Sequence, residues 1–377
     1  MQFRHPRAVV LLFIGIIVVM QAAFWLLPRH PFSENEKRVL AEAPQINAAG
    51  IADGSVFRSI ESYLSDHFPG RDLWVGANAY LERAEGRGAT EDIVCGTDGW
   101  LFTAPVSEER ETLWDNMQAI TTFAERQSVP VTMMAVPSAG AVVSDKLPAL
   151  HLPYPDADLL EGARRIAGNT LHWVDLYTDF CSAEQPETLY YRTDHHWTTE
   201  GAYRAYCLLM DKLGQPSVPR DDFTVEQIAD FYGTSYSRSG LWLTDPDTIE
   251  LWTDSDIQAV TTVYDANLAP VTREGMFFRE YLEDADKYPV FLSGNHARVH
   301  IETNADSGKR LLVIKDSYAH ALAPFLAEEY STIDLIDLRY FKQQTISSWL
   351  EENPADEILL VYGLSSLAED KNLQWLE

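Results

Sequence analysis

From Ala8 to Leu27 the chain reads AVVLLFIGIIVVMQAAFWLL, apolar throughout except for Gln21, with Arg4 and Arg7 before it and Arg29 just after. A membrane helix needs about 20 such residues. A cleaved signal peptide has a shorter apolar region of about 7–15 residues ending in a small-x-small site, which Met20-Gln21-Ala22 and Gln21-Ala22-Ala23 match poorly. The span therefore reads as an uncleaved signal anchor with the rest of the chain outside the cytoplasm; a cleaved signal and a buried core helix are the alternatives. Arg4 and Arg7 fit a cytoplasmic flank, and Arg29 works against that orientation.

Beyond it the pattern turns polar. Residues 31–44 read as a stalk leaving the membrane. Val56, Ile60 and Leu64 recur at helical spacing, and Phe68-Pro69-Gly70-Arg71-Asp72 closes that helix with a turn. Asp92-Ile93-Val94 and Gly96 to Phe102 predict two short strands joined at Asp98-Gly99. Leu113, Met117, Ile120 and Ala124 mark one face of a helix from about Ser107 to Arg126. Val129 to Val136, Leu171 to Tyr177, Leu311 to Ile314, Ile333 to Leu338 and Ile358 to Tyr362 are short apolar runs of the kind found in strands covered on both faces. Thr198 or Thr199 is placed to cap a helix through Tyr203, Tyr206, Leu209 and Leu213 that Gly214 stops. A further helix falls around Gln344 to Glu351, and Pro324 either interrupts the helix-like segment after Ser317 or opens a second one.

Between Phe223 and Asn304 the long helical faces disappear. Strand-like pieces (Thr248 to Trp252, Ile257 to Tyr264, Ala297 to Thr303) alternate there with turns rich in Asp, Gly and Pro. Strands alternating with helices elsewhere predict an α/β fold, a mostly parallel sheet flanked by helices. The expected organisation is an anchor at 1–27, a stalk and helical segment at 28–90, an α/β domain at 91–220 and 305–377, and a β-rich insertion at 221–304.

Composition narrows the function. At 377 residues and 46% hydrophobic the chain can build a large core. Its net charge of −28 comes without a basic block, which excludes a nucleic-acid footprint. Cys95, Cys181 and Cys207 are too scattered for a disulfide framework or a zinc site. A single Cys181–Cys207 bridge is conceivable outside the cytoplasm, and an ordinary buried thiol is the plainer reading of each.

The chemistry concentrates in Thr193-Asp194-His195-His196-Trp197-Thr198. In an extended segment Asp194 and His196 would share one side and His195 would face away. An acid two residues from an imidazole can fix its tautomer, which is the orienting half of a triad. The nucleophile the pair lacks is available at Ser317, just after the Leu311 to Ile314 run, where a strand-to-helix turn would present a hydroxyl beside helix N-terminal amides. The plain alternative for Ser317 is an N-cap. A metal site on Asp194, His195 and His196 is the chemical rival, but adjacent histidines rarely reach one ion and no further ligand pair is evident. Gly233-Thr234-Ser235-Tyr236-Ser237 and Gly294-Asn295-His296 could border a site or be turns.

Asp194-His195-His196-Trp197 resembles the signature of the DHHW family of bacterial extracytoplasmic proteins. The wider Thr193-Asp194-x-His196-Trp197 pattern resembles the alginate O-acetylation proteins. The likeness extends over Ser33-Glu34-Asn35, Phe68 to Asp72, Asp98-Gly99-Trp100-Leu101, Lys315-Asp316-Ser317-Tyr318 and Asp337-Leu338-Arg339-Tyr340. It implies an SGNH-hydrolase-like (flavodoxin-like) fold, circularly permuted, with Asp194, His196 and Ser317 as triad; apart from the resemblance, no cofactor or metal is expected. It also implies an extracytoplasmic O-acetyltransferase acting on a polysaccharide, with a membrane-bound O-acyltransferase supplying acetyl groups. An acetylesterase, or a non-catalytic polysaccharide-binding protein of the same fold, are the alternatives. Ordinary SGNH blocks carry an oxyanion-hole Asn with no clear counterpart here; Asn295, the Ser317 amide and the helix start are candidates. Arg339, Tyr340, Tyr318 and Trp197 are candidate wall residues.

Overall fold

The computed structural model describes residues 6–90, 92–106, 111–265, 267 and 269–377. The expected start of a helix at Ser107, and Arg4 of the N-terminal flank, lie outside the described residues. The chain forms two compact units, Met1–Arg87 with Ser237–Leu243, and Gly88–Tyr236 with Thr244–Glu377.

The second unit is built on an eight-stranded sheet. Its strands are β1 (Val131–Val136), β2 (His172–Val174), β3 (Ala259–Tyr264), β4 (Pro270–Glu274), β5 (Arg298–Thr303), β6 (Arg310–Lys315), β7 (Thr332–Ile336) and β8 (Glu357–Gly363). They lie in the order β4-β3-β5-β7-β6-β8-β1-β2. The five from β7 to β2 run parallel, and β5, β3 and β4 extend that sheet antiparallel. The expected boundaries at 220/221 and 304/305 therefore do not separate an insertion, because three strands of 221–304 complete the main sheet. The exception is the hairpin of Thr224–Phe231 with Asp247–Thr253, which stands as its own two-stranded sheet.

The central strands carry consecutive apolar residues because both faces are covered, with Thr132 and Asp334 as buried polar exceptions. Along β6, Leu311 and Val313 enter one core with the Thr199–Leu213 and Ala319–Leu326 helices. Leu312 and Ile314 enter the other with the Glu111–Arg126, Asp156–Ala167 and Ile346–Glu352 helices. Full burial of each such side chain contributes roughly 1.5–3 kcal/mol. Connectivity then makes a crevice. From β6 the chain goes to β7 on one side and afterwards to β8 on the other, so the strand order reverses at the carboxyl end of β6. Open α/β sheets place their ligands at such a switch point.

The Asp98-Gly99 turn joins Ile93–Cys95 to Leu101–Thr103 as expected, with both turn residues at positive φ, 53° and 80°. Pro324 neither stops nor starts a helix; it lies inside Ala319–Leu326, fully buried. All three cysteines are free: Cys95 is buried, Cys181 exposed and Cys207 half-buried, so the Cys181–Cys207 pairing is not made.

In the first unit, Pro6–Leu26 is a single helix, and its stretch Arg7–Leu26 is long and apolar enough to cross a membrane. The expected stalk is instead folded. Arg38 holds Asp66 through two hydrogen bonds (2.9 and 2.5 Å), Arg71 pairs with Glu36 (2.7 Å), and Asn35 donates to Asp72 (2.8 Å). Helices Ser55–Asp66 and Arg71–Ala84 follow, and Trp242 of the returning segment donates to the Asp72 carbonyl (2.9 Å) beside Gly76.

Candidate active site

The turn after β6 carries Ser317. An N-cap serine would bond a helix amide through its hydroxyl, but here the neighbouring Asp316 takes that work. Its carboxylate accepts from the Tyr318 amide (3.0 Å) and from the Gly363 amide at the end of β8 (2.8 Å). The Ser317 hydroxyl is left to meet His196 Nε2 at 2.7 Å.

His196 comes from a tight loop closed by a bridge between Tyr190 and Trp197 and by Thr198 N–H donating to the Leu189 carbonyl (2.9 Å). Thr198 then caps the following helix, its hydroxyl accepting from Gly201 N–H at 3.1 Å. Within the loop Asp194 accepts from both the His196 amide (2.9 Å) and His196 Nδ1 (2.6 Å), so the segment bends and does not run extended. That bend corrects the expectation for His195: its ring lies 3.9 Å from the His196 ring, and its Nδ1 is 2.7 Å from the Thr234 hydroxyl.

Asp194 is buried, and its second oxygen accepts from the Thr234 amide (2.6 Å) and hydroxyl (3.0 Å). Burial pushes this carboxyl up, but the two imidazoles and these donors outweigh it and hold the group well below the usual carboxylate range. An ionised Asp194 can only accept, so Nδ1 of His196 carries a proton and Nε2 presents a lone pair to Ser317. Thr193 anchors the loop from behind. Its amide and hydroxyl both donate to Asp247 (2.7 Å each), and its hydroxyl accepts from Gly233 N–H (3.0 Å).

The ligating atoms of Asp194, His195 and His196 do fall within 4.8 Å of one another. Four donors already fill the Asp194 oxygens, and both His196 nitrogens are engaged, so the residues fit a hydrogen-bonded relay better than a ligand set.

Tyr318 joins the site, its hydroxyl donating to the His195 carbonyl (2.6 Å). Trp197 is fully buried, with Nε1 donating to the Tyr318 carbonyl (3.1 Å), so it braces the serine turn from inside and does not wall the site. Asn295, Arg339 and Tyr340 form a second group. Arg339 pairs with Asp337 (2.6 Å), bonds Asn295 (3.3 Å) and lies over Tyr340, and none of these contacts runs to Ser317 or His196.

A buried chain of groups lies between the two clusters. Lys315 Nζ is 3.6 Å from Asp337 and 2.6 Å from His320 Nε2. Burial pushes the Lys315 ammonium down against the pull of Asp337. Burial and then the Lys315 charge push His320 well below the imidazole range, so it stays neutral and accepts from Lys315. Tyr288 stacks flat on His196, ring centroids 4.0 Å apart, and its hydroxyl donates to the Ser317 carbonyl at 3.3 Å. Sequence reasoning missed Tyr288, His320 and Asp247. His320, three residues after Ser317 on a helical pattern, was the one with a signal to find.

A family model described as "DHHW protein" matches residues 172–336, the span that holds Asp194, His196 and Ser317. The chain is similar to the DHHW proteins. A second model, "SGNH hydrolase-like domain, acetyltransferase AlgX", matches residues 93–241, and the fold is SGNH-hydrolase-like as expected. Among solved structures, a DHHW family protein from Eubacterium siraeum is 25% identical with a TM-score of 0.65, covering 77% of this chain and 96% of that one. Bacillus cereus PatB1, also solved with a sulfonyl adduct, shares the fold at 23% identity and a TM-score of 0.63, covering 74% of this chain and 97% of its own. Among curated proteins, the probable alginate O-acetylase AlgJ of Pseudomonas aeruginosa is 25% identical over 181 residues, 43% of this chain and 44% of that protein. Its Pseudomonas syringae counterpart is 27% identical over 208 residues, 51% of this chain and 48% of that protein. The chain thus matches these relatives over less than half of their length.

Proposed function

We propose that this protein is an extracytoplasmic O-acetyltransferase, held to the membrane by its N-terminal helix, that moves acetyl groups through acyl-Ser317 to hydroxyls of a cell-surface or secreted polysaccharide. The observation that carries this reading is the continuous relay from Asp194 through His196 (2.6 Å) to the Ser317 hydroxyl (2.7 Å) at the sheet's switch point. The similarity to alginate O-acetylases supports the choice of acetyl and glycan.

In this mechanism Ser317 Oγ attacks the acetyl carbonyl carbon of a donor while its proton passes to His196 Nε2. The imidazolium is stabilised by Asp194, and collapse of the tetrahedral intermediate breaks the bond to the donor's leaving group, which takes the proton. A sugar hydroxyl then attacks the acyl carbon, gives its proton to His196, and releases Ser317 with that proton. The Ser317 amide and the start of the Ala319–Leu326 helix are the proposed oxyanion donors, a contribution of about 10²–10³ in rate. The donor partner is a membrane-bound O-acyltransferase.

The test is the intact mass of the detergent-solubilised full chain after exposure to an activated acetyl ester. Wild type gains one acetyl group and Ser317→Ala gains none; equal labelling, or none in wild type, defeats the mechanism. Adding an oligosaccharide then separates transfer, seen as acetylated sugar, from hydrolysis, seen as free acetate alone.

A further inference from the structure

The two helices that follow the N-terminal span carry apolar side chains on the face they turn outward. On Arg71–Ala84, Leu73, Ala77, Leu81 and Ala84 recur at i, i+4, i+8 and i+11, with Trp74 beside them. All are exposed, while Gly76 and Ala79 on the opposite face are buried. On Ser55–Asp66, Phe57 and Leu64 share one face, and Phe68 continues it at i+11. The six large side chains, Phe57, Leu64, Phe68, Leu73, Trp74 and Leu81, are between 44% and 72% exposed. Contiguous apolar surface of this kind marks a contact.

The structure also fixes where that surface lies. Arg29, just past the span, folds back to donate to the Phe24 carbonyl (2.7 Å), sits 4.0 Å over the Phe24 ring and 5.4 Å over Tyr63, and reaches the His67 carbonyl (3.5 Å). The span's last turn is thus tied to the end of the Ser55–Asp66 helix. Phe68 and Leu73, one from each stripe, line a cavity of about 590 Å³ together with Phe24 and Leu27 of the span. Both stripes therefore begin beside the end from which the chain leaves the apolar helix, with Arg29, His67 and Arg71 lining the same cavity. Charged residues flank them (Arg58, Glu61, Arg83, Glu85), and Trp74 turns its indole N–H back to the Pro69 carbonyl (3.2 Å). Interfacial helices combine such an apolar face with flanking charges and an aromatic side chain.

We infer that the outward faces of these two helices are a second membrane contact, seated among the headgroups and upper acyl chains of the bilayer beside the span. The inference rests on the reading that Pro6–Leu26 crosses that bilayer. Lipid is favoured over a protein partner because Arg29 ties the end of the span to the helix that carries one stripe, and a residue of each stripe lines a cavity with the span's last turn.

Site-directed spin labelling of the full chain in phosphatidylcholine/phosphatidylglycerol vesicles tests it. Cys181→Ser and Cys207→Ser provide the background, and Ile16→Cys, Leu73→Cys, Leu81→Cys and Arg83→Cys are labelled singly. Each label's collision rate is measured with oxygen, which partitions into lipid, and with a water-soluble nickel chelate. Unfolding temperatures within a degree or two of the background protein confirm that the labelled chains are folded. The oxygen-to-nickel ratio at 73 and 81 is expected to exceed that at 83 several-fold and to fall below that at 16. Nickel-accessible labels at 73 and 81, with 16 in lipid, overturn the proposal while the anchor stands. Labels at 73 and 81 reached by neither reagent also overturn it, since protein then covers the face. A water-exposed label at 16 overturns the anchor, and this inference with it.

Discussion

Tyr288 lies 9° from parallel with the His196 imidazole, close enough to favour the ring when it gains a proton, and its hydroxyl steadies the turn that presents Ser317. Replacing it by leucine removes the stack, worth about 0.5–1.5 kcal/mol, so Ser317 acylation should slow roughly 2–10-fold. Tyr288→Phe, which keeps the ring and loses only the 3.3 Å bond to the Ser317 carbonyl, should slow acylation less than Tyr288→Leu. Stopped-flow acylation with a chromogenic acetyl ester measures both; equal losses would assign the effect to the hydroxyl. That Asp194, His196 and Ser317 meet was legible because an acid, an imidazole and a serine hydroxyl combine into one hydrogen-bonded relay. Tyr288 was not, because a tyrosine before proline in an irregular stretch has no periodicity to mark it, and only the fold brings it to His196.

The loop at Gly233 and Thr234 is the element on which the site depends. A β-carbon on Gly233 would fall 2.2 Å from Asp194 Cβ and 2.5 Å from the Thr193 carbonyl. Gly233→Ala must therefore push the Asp194 loop away, at a cost of roughly 1–3 kcal/mol for overpacking. Acylation should drop far more than the unfolding midpoint does, because a shift of about 1 Å at a positioned group costs on the order of 10²-fold. Urea unfolding and acylation rates on one preparation compare the two, and a stability loss without an activity loss would show that the relay tolerates the movement. The buried strands were legible from their apolar runs. That β3, β4 and β5 join the main sheet was not, since periodicity reports which side chains are covered and not which strand lies alongside. Alternation misplaced His195 for a related reason: the His196 amide donating to the Asp194 carboxylate replaced the extended geometry on which alternation depends.

Across the whole molecule, a net charge of −28 crowds carboxylates together. Glu328 is the clearest case: burial first, then Asp254, Glu329 and Asp256, push it up to about 8. Since its folded value lies above the ordinary one, the fold binds a proton that the unfolded chain releases near pH 4.5. Stability from this group is present below that pH and lost as pH rises through about 8. Glu328→Gln should thus lessen the fall in unfolding temperature between pH 6 and 8.5, read by thermal scans at matched ionic strength; an unchanged fall would place the effect elsewhere.

The first unit is completed by Ser237–Leu243, whose Trp242 packs beside Gly76. During synthesis its helices emerge early but must wait for a segment 156 residues beyond Arg87 (243 − 87), roughly 10–30 s at common elongation rates. Throughout that interval Gly76 and Ala79 lack their cover, and a nascent chain stalled before Trp242 would be open to proteases at the very helices nearest the span.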